Sequence, residues 1–204
     1  MSKLLSTFLR LSALMCLPGG VLWALSPLGV HFSELKFKTP NVFWKLFPSA
    51  PLLLLIGVVG VHFWLSGRYG RLGKIGLFVI LLGLTLVIAG DVGLYWLQID
   101  NVYIMSAPAY RTFRIGLLIL GVGSVIYGVA NLWRRTLPDW ASLPFTIGAV
   151  CGLASFVRDS GQFGATLWVM YGAGWAWLAT VVVIDAFVSF VRKRRARSQE
   201  IRTS

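Results

Sequence analysis

Six long apolar runs follow one another along the chain, separated by short polar stretches. A helix needs roughly 20 residues to cross the hydrocarbon core of a bilayer, where no water is at hand to pair a free backbone group. On that measure the runs predict six helices, at about 8–30, 50–66, 75–97, 112–133, 140–157 and 164–191. The second and fifth are the shortest. The pattern predicts an all-α, polytopic transmembrane bundle in a single membrane domain, followed by a basic tail over 192–204.

Composition agrees with that pattern. The chain has 204 residues, of which 57% are hydrophobic and only 13% charged. A soluble domain carries roughly 25% charged residues, so this chain lacks the polar skin that a water-facing surface needs. Its formal charge of +12 comes from a shortage of acids, with 19 Lys and Arg against 7 Asp and Glu. In an apolar chain such an excess predicts basic membrane-flanking loops, not nucleic-acid binding.

The bases also predict an orientation. With the N-terminus inside, thirteen Lys and Arg fall on the inner side and six on the outer. N-in and C-in is therefore expected, fixed mainly by the tail and by the 67–74 loop. The tail "VRKRRARSQEIR", attached to a membrane helix, is expected to touch anionic lipid. The N-terminal run is expected to be retained as a first helix, since Met15 stands where the lipoprotein-box-like "LSALMC" needs a small residue and Pro27 follows the peptidase-like "ALS". On the long outer connection, Phe43, Trp44 and Phe47 suit the lipid–water interface.

The two halves of the chain resemble each other. "LTLVIAGD" ending at Asp91 lies over "LATVVVID" ending at Asp185, an offset of 94. "IGVVG" from Ile56 lies over "IGAVC" from Ile147, an offset of 91. "RLSALMCLPGGVLW" from Arg10 lies over "RIGLLILGVGSVIY" from Arg114, an offset of 104. Three helices per unit, about 8–97 and about 112–191, make an inverted 3+3 repeat, an arrangement common in transporters.

Depth then pairs Arg10 with Asp185 and Arg114 with Asp91, each pair joining one unit to the other. An ionised carboxylate in lipid is costly and needs a partner. Two roles are open to these pairs: a gate or proton-coupled carboxylate, and a static clamp. Their places toward helix ends favour the clamp.

Glycines mark close helix packing. Gly76, Gly83 and Gly90 recur at seven residues on the third run. Gly116 and Gly123 do so on the fourth, and Gly148 and Gly152 form a GxxxG on the fifth. Small residues let backbones approach where lipid removes the hydrophobic drive to associate. Packing inside one bundle is the expected use, with a homo-oligomer or protein-partner interface as the other.

Chemistry is sparse. The histidines are His31 and His62, too far apart along their helices to share a haem iron. His62 alone has the chemistry of a proton relay. No cofactor, metal site or catalytic motif is expected from the sequence. "GRYGRLGKIG" at Gly67–Gly76 has the glycines and bases of a phosphate-cradling loop, yet turn geometry and topology account for both. Together, "GGVLWALSPLG", "GRYGRLGKIGL" and "LPDWA" resemble small multi-pass proteins of bacterial inner membranes. The resemblance implies a membrane bundle and carries no activity. The expected function is a non-catalytic membrane subunit or accessory protein. The alternatives are a small-solute or proton transporter, and a membrane enzyme acting on a lipid-soluble substrate.

Overall fold

The computed structural model describes residues 11–36, 45–65, 67–68, 70–97, 107–137, 139–157 and 161–203. These residues are helical almost throughout, with no strand among them. A 3-10 turn at Ser12–Met15 leads into α1, Cys16–Lys36. Then come α2, Ser49–Leu65; α3, Arg71–Asp91; a π-helical turn, Val92–Trp96; α4, Pro108–Arg134; α5, Asp139–Val157; and α6, Gly161–Thr203.

Local chemistry sets several of these boundaries. Pro18 has no N–H to give the carbonyl four residues back, at Leu14, and the chain before α1 tightens into the 3-10 turn. Pro108 opens α4, where a missing N–H costs nothing. Arg135 closes α4 in the left-handed region, with φ 48°. Gly70 precedes α3 in an extended conformation, with no side-chain cap.

Four stretches are long and apolar enough to cross a membrane: Arg71–Trp96, Pro108–Arg134, Trp140–Val157 and Ala165–Asp185. Ser12–Ser26 and Ser49–Leu65 are apolar but shorter. The expected bundle of apolar helices is therefore present, with four helices of spanning length. Residues 192–203 continue α6 as helix.

The helices form a closed ring of neighbours. Helix α1 packs on α2 and α6, α3 on α2 and α4, and α5 on α4 and α6. Glycine sets the closest approach, between α3 and α4. A Cβ added at Gly76, Gly90, Gly116 or Gly123 would stand 2.6–2.7 Å from backbone atoms of the facing helix. One added at Gly83 would overlap the backbone nitrogen of Leu120. Gly121 and Gly128, on another stripe of α4, meet Leu153 and Thr146 of α5. Gly148 meets Met170 and Gly174 of α6, Gly152 meets the Tyr171 ring, and Gly20 and Gly172 touch across α1 and α6. The glycine stripes face helices of the same chain.

The two ends of the bundle are distinct. At one end the 67–68 turn meets α6 through Arg68 and Asp185, and Gly70 meets Arg134 at the end of α4. At the other, the Trp96 indole N–H donates to the Lys45 carbonyl at 3.0 Å, and Phe47 stands edge-on to Phe113 at 6.3 Å.

Candidate functional site

The centre of the ring is aromatic. Trp23 of α1 touches Phe47, Trp168 and Tyr171, with ring centroids 5.3–5.7 Å away. Phe156 of α5 meets Tyr171 at 5.4 Å, and Phe145 meets Trp175 at 4.9 Å. Such pairs contribute about 0.5–1.5 kcal/mol each beyond their burial. Phe47, expected at the interface, is instead buried in this cluster; it precedes α2 and turns inward against Trp23. Phe43 and Trp44 lie outside the described residues.

A polar contact crosses this centre. Ser124 Oγ of α4 lies 2.8 Å from the Leu120 carbonyl and 3.0 Å from Tyr171 Oη of α6. Serine has one hydroxyl proton. Spent on Leu120, it leaves Tyr171 as the donor to Ser124. The contact is closed, with both residues buried and the rings packed around them.

The expected ion pairs take a different form. Asp185 is bound by Arg68, Nη1 to Oδ2 at 3.3 Å, and by the Trp64 indole N–H at 3.3 Å. Arg10 lies outside the described residues. Depth alone admitted Arg68 as well as Arg10, since the sequence puts both on the predicted inner side. The Arg68–Asp185 pair is roughly half-exposed, and such pairs contribute only about 0–1 kcal/mol.

Asp91 is fully buried at the end of α3, and neither carboxylate oxygen has a hydrogen-bond partner. The expected Arg114–Asp91 bond is not made. Phe113 is the residue that fills the seam opposite Gly90. One step along a helix turns a side chain by about 100°, which carries Arg114 out of the seam; Arg114 is itself engaged. The π-helical turn begins directly after Asp91, and its Leu97 N–H reaches back five residues to the Val92 carbonyl at 2.8 Å. Such turns occur frequently at functional sites.

His62 sits in the last turn of α2, part-buried, with its ring 5.5 Å from that of Phe63. It lies at the end of α2 that leads to the start of α3, whereas Asp91 lies at the far end of α3. Cys16 is buried and Cys151 half-buried, both as free thiols. Among the described residues, no group of three or more His, Cys, Asp and Glu side chains is placed to hold a metal ion.

An open cleft of about 980 Å³ lies between the start of α3 and the end of α4. Gly70, Arg71, Leu72, Trp133 and Arg134 line it. The Arg134 guanidinium lies against Gly70, its Nε 3.1 Å from where a Cβ would stand. Trp133 is 80% exposed. Sequence reasoning assigned the bases to topology and did not join the 67–74 loop to Arg134. The signal was present, since both fall on the same predicted side of the membrane. No family model, curated protein or solved structure matches the chain.

Proposed function

We propose that the chain is a non-catalytic integral membrane subunit or accessory protein, a six-span bundle in a bacterial inner membrane with both termini in the cytoplasm. The observation that carries this is the centre of the ring. Trp23, Phe145, Tyr171 and Trp175 fill it, each at most 2% exposed. A carrier needs a polar cavity near the midplane, whereas this centre is closed by aromatic rings.

Six spans require two shorter members. The 17 residues of α2 reach about 26 Å, near the lower limit for a spanning helix. The 21 residues of α1, extended by the 3-10 turn, are long enough. Clustering of Arg68, Arg71, Arg134 and Arg135 at one end agrees with a cytoplasmic face there. The basic end of α6 would then lie against anionic lipid.

Neighbour order supports the inverted repeat. The α1–α2, α2–α3 and α3–α4 contacts have counterparts in α4–α5, α5–α6 and α6–α1. The same offsets account for the unequal acids. Trp64 and Arg68, which hold Asp185, correspond to Ser155 and Asp159 in the second unit. Asp91 therefore inherits neither the indole nor the guanidinium.

Asp91 favours a second reading. A buried carboxylate without a partner, next to a π-helical turn, is the arrangement expected of a coupling site in a proton or cation carrier. Purification in native lipid with mass spectrometry separates the two. A stoichiometric membrane protein in the complex is the expected result. A chain that purifies alone and conducts protons into liposomes only while Asp91 is intact would establish the carrier reading instead.

A further inference from the structure

The cleft between α3 and α4 is unlike the rest of the bundle's flank. Among the described residues, the outer faces of α3 and α4 beyond it carry apolar side chains such as Phe78, Leu82, Ile115 and Val122. At this end two guanidinium groups, Arg71 and Arg134, border one concavity of about 980 Å³. Neither has an acidic partner among the described residues, in contrast to Arg68, which Asp185 holds. Among the described residues, the concavity thus keeps two positive charges on opposing helices with no acid paired to either.

Three further features match an amphiphile. The floor is Gly70, whose missing side chain leaves room for the Arg134 guanidinium to lie across the chain at the start of α3. Lys74 donates its N–H to the Gly70 carbonyl at 3.2 Å, which leaves the three N–H groups before it at the head of α3, where no side chain caps them. Such groups and the helix dipole add to the attraction of the arginines for an anion. On the lipid side, Leu72 and Trp133 are exposed beside the bases, and Ile75 follows one turn along α3. A free inorganic anion has no use for that apolar rim; a glycerol backbone and acyl chains do.

We propose that the Arg71–Arg134 cleft binds the phosphate headgroup of an anionic phospholipid, with its glycerol and upper acyl chains against Trp133 and Leu72. Basic pockets between spanning helices have this chemistry. The site is separate from the basic end of α6, and it requires only that α3 and α4 cross a bilayer. It also gives "GRYGRLGKIG" a recognition role alongside topology. The second base comes from Arg134, which lies outside that loop.

The full chain in a neutral detergent, titrated with phosphatidylglycerol and followed by native mass spectrometry and thermal unfolding, tests the site. At about 1 kcal/mol for each base, Arg71→Gln with Arg134→Gln weakens lipid binding about thirty-fold and removes the lipid-dependent rise in Tm. Both side chains are exposed, so the variant is expected to unfold at the wild-type temperature without lipid. Neutralising Arg192, Lys193, Arg194 and Arg195 in the full chain leaves the tightest lipid in place. Equal binding by wild type and the double variant overturns the proposal. So does a Tm rise with inorganic phosphate as large as that with lipid, or loss of the tightest lipid only in the tail variant. Brominated phosphatidylglycerol supplies a positional check: it quenches a fluorescence component that Trp133→Phe abolishes, and quenching unchanged by Trp133→Phe contradicts the placement.

Discussion

Helix α3 ends in opposite environments. Its first turn carries Arg71 and Lys74, exposed beside an open cleft. Its last residue is Asp91, fully buried with no hydrogen-bond partner. The bases run against the helix dipole, which favours acids at the N-terminus, while Asp91 lies a π-helical turn before the helical run ends at Trp96. Dipole preference therefore does not explain either placement. The bases are tolerated because water and headgroups reach them, and their field adds to that of the helix start. Nothing comparable offsets a charge on Asp91. One end is built to meet an anion outside the protein, and the other confines an acid inside it.

The seam between α3 and α4 fixes the height of both ends, and breaking it has the largest expected effect. Gly83→Leu drives a side chain into the Leu120 backbone. Overpacking of this kind costs about 3 kcal/mol or more, a fall of about 6–12 °C in Tm. Phe78→Leu, at a site 68% exposed, leaves Tm unchanged. Equal Tm for wild type and Gly83→Leu would refute the close seam.

The buried end is sharpened next. Asp91→Asn keeps the shape and replaces an unpartnered buried carboxyl by a group that cannot ionise, so Tm is expected to hold or rise by about 2–4 °C. A clear fall would mean that the carboxylate is bound by something essential to the fold. At the cleft end, Arg135 occupies the left-handed region, which costs a non-glycine residue about 1–2 kcal/mol. Arg135→Gly is expected to stabilise by about 1 kcal/mol, and a lowered Tm would contradict the strain. The smallest effect belongs to Asp185→Asn. It breaks a half-exposed pair and lowers stability by at most about 1 kcal/mol. Opposite signs at Asp91 and Asp185 are the signature of the difference between the buried acid and the half-exposed one.

Apolar run length made the helices legible in the sequence, and glycine spacing marked the stripes that pack. Gly116 and Gly123 do face α3, while Gly121 and Gly128 serve α5. Periodicity gave the stripes without naming each partner, because any small residue fits any close neighbour. Side-chain partners were harder for the same reason. Depth along a helix pairs Asp185 with Arg10 or Arg68 alike, and only rotation about the axis separates Phe113 from Arg114. Phe47 was misplaced because an aromatic near a span end suits the interface and the core equally. The cleft was missed because Gly70 and Arg134 are far apart in the chain, and a shared predicted side does not by itself bring two loops into contact.

The account rests most heavily on a centre filled by aromatic side chains. Ser124, fully buried beside Tyr171, reports on it directly. In a chain with Cys16 and Cys151 replaced by Ala, Ser124→Cys is exposed in proteoliposomes to a membrane-impermeant thiol reagent from both sides. The account predicts no labelling until detergent denaturation, then complete labelling. Labelling of the folded protein from either side would reveal a water path through the bundle and contradict the filled centre.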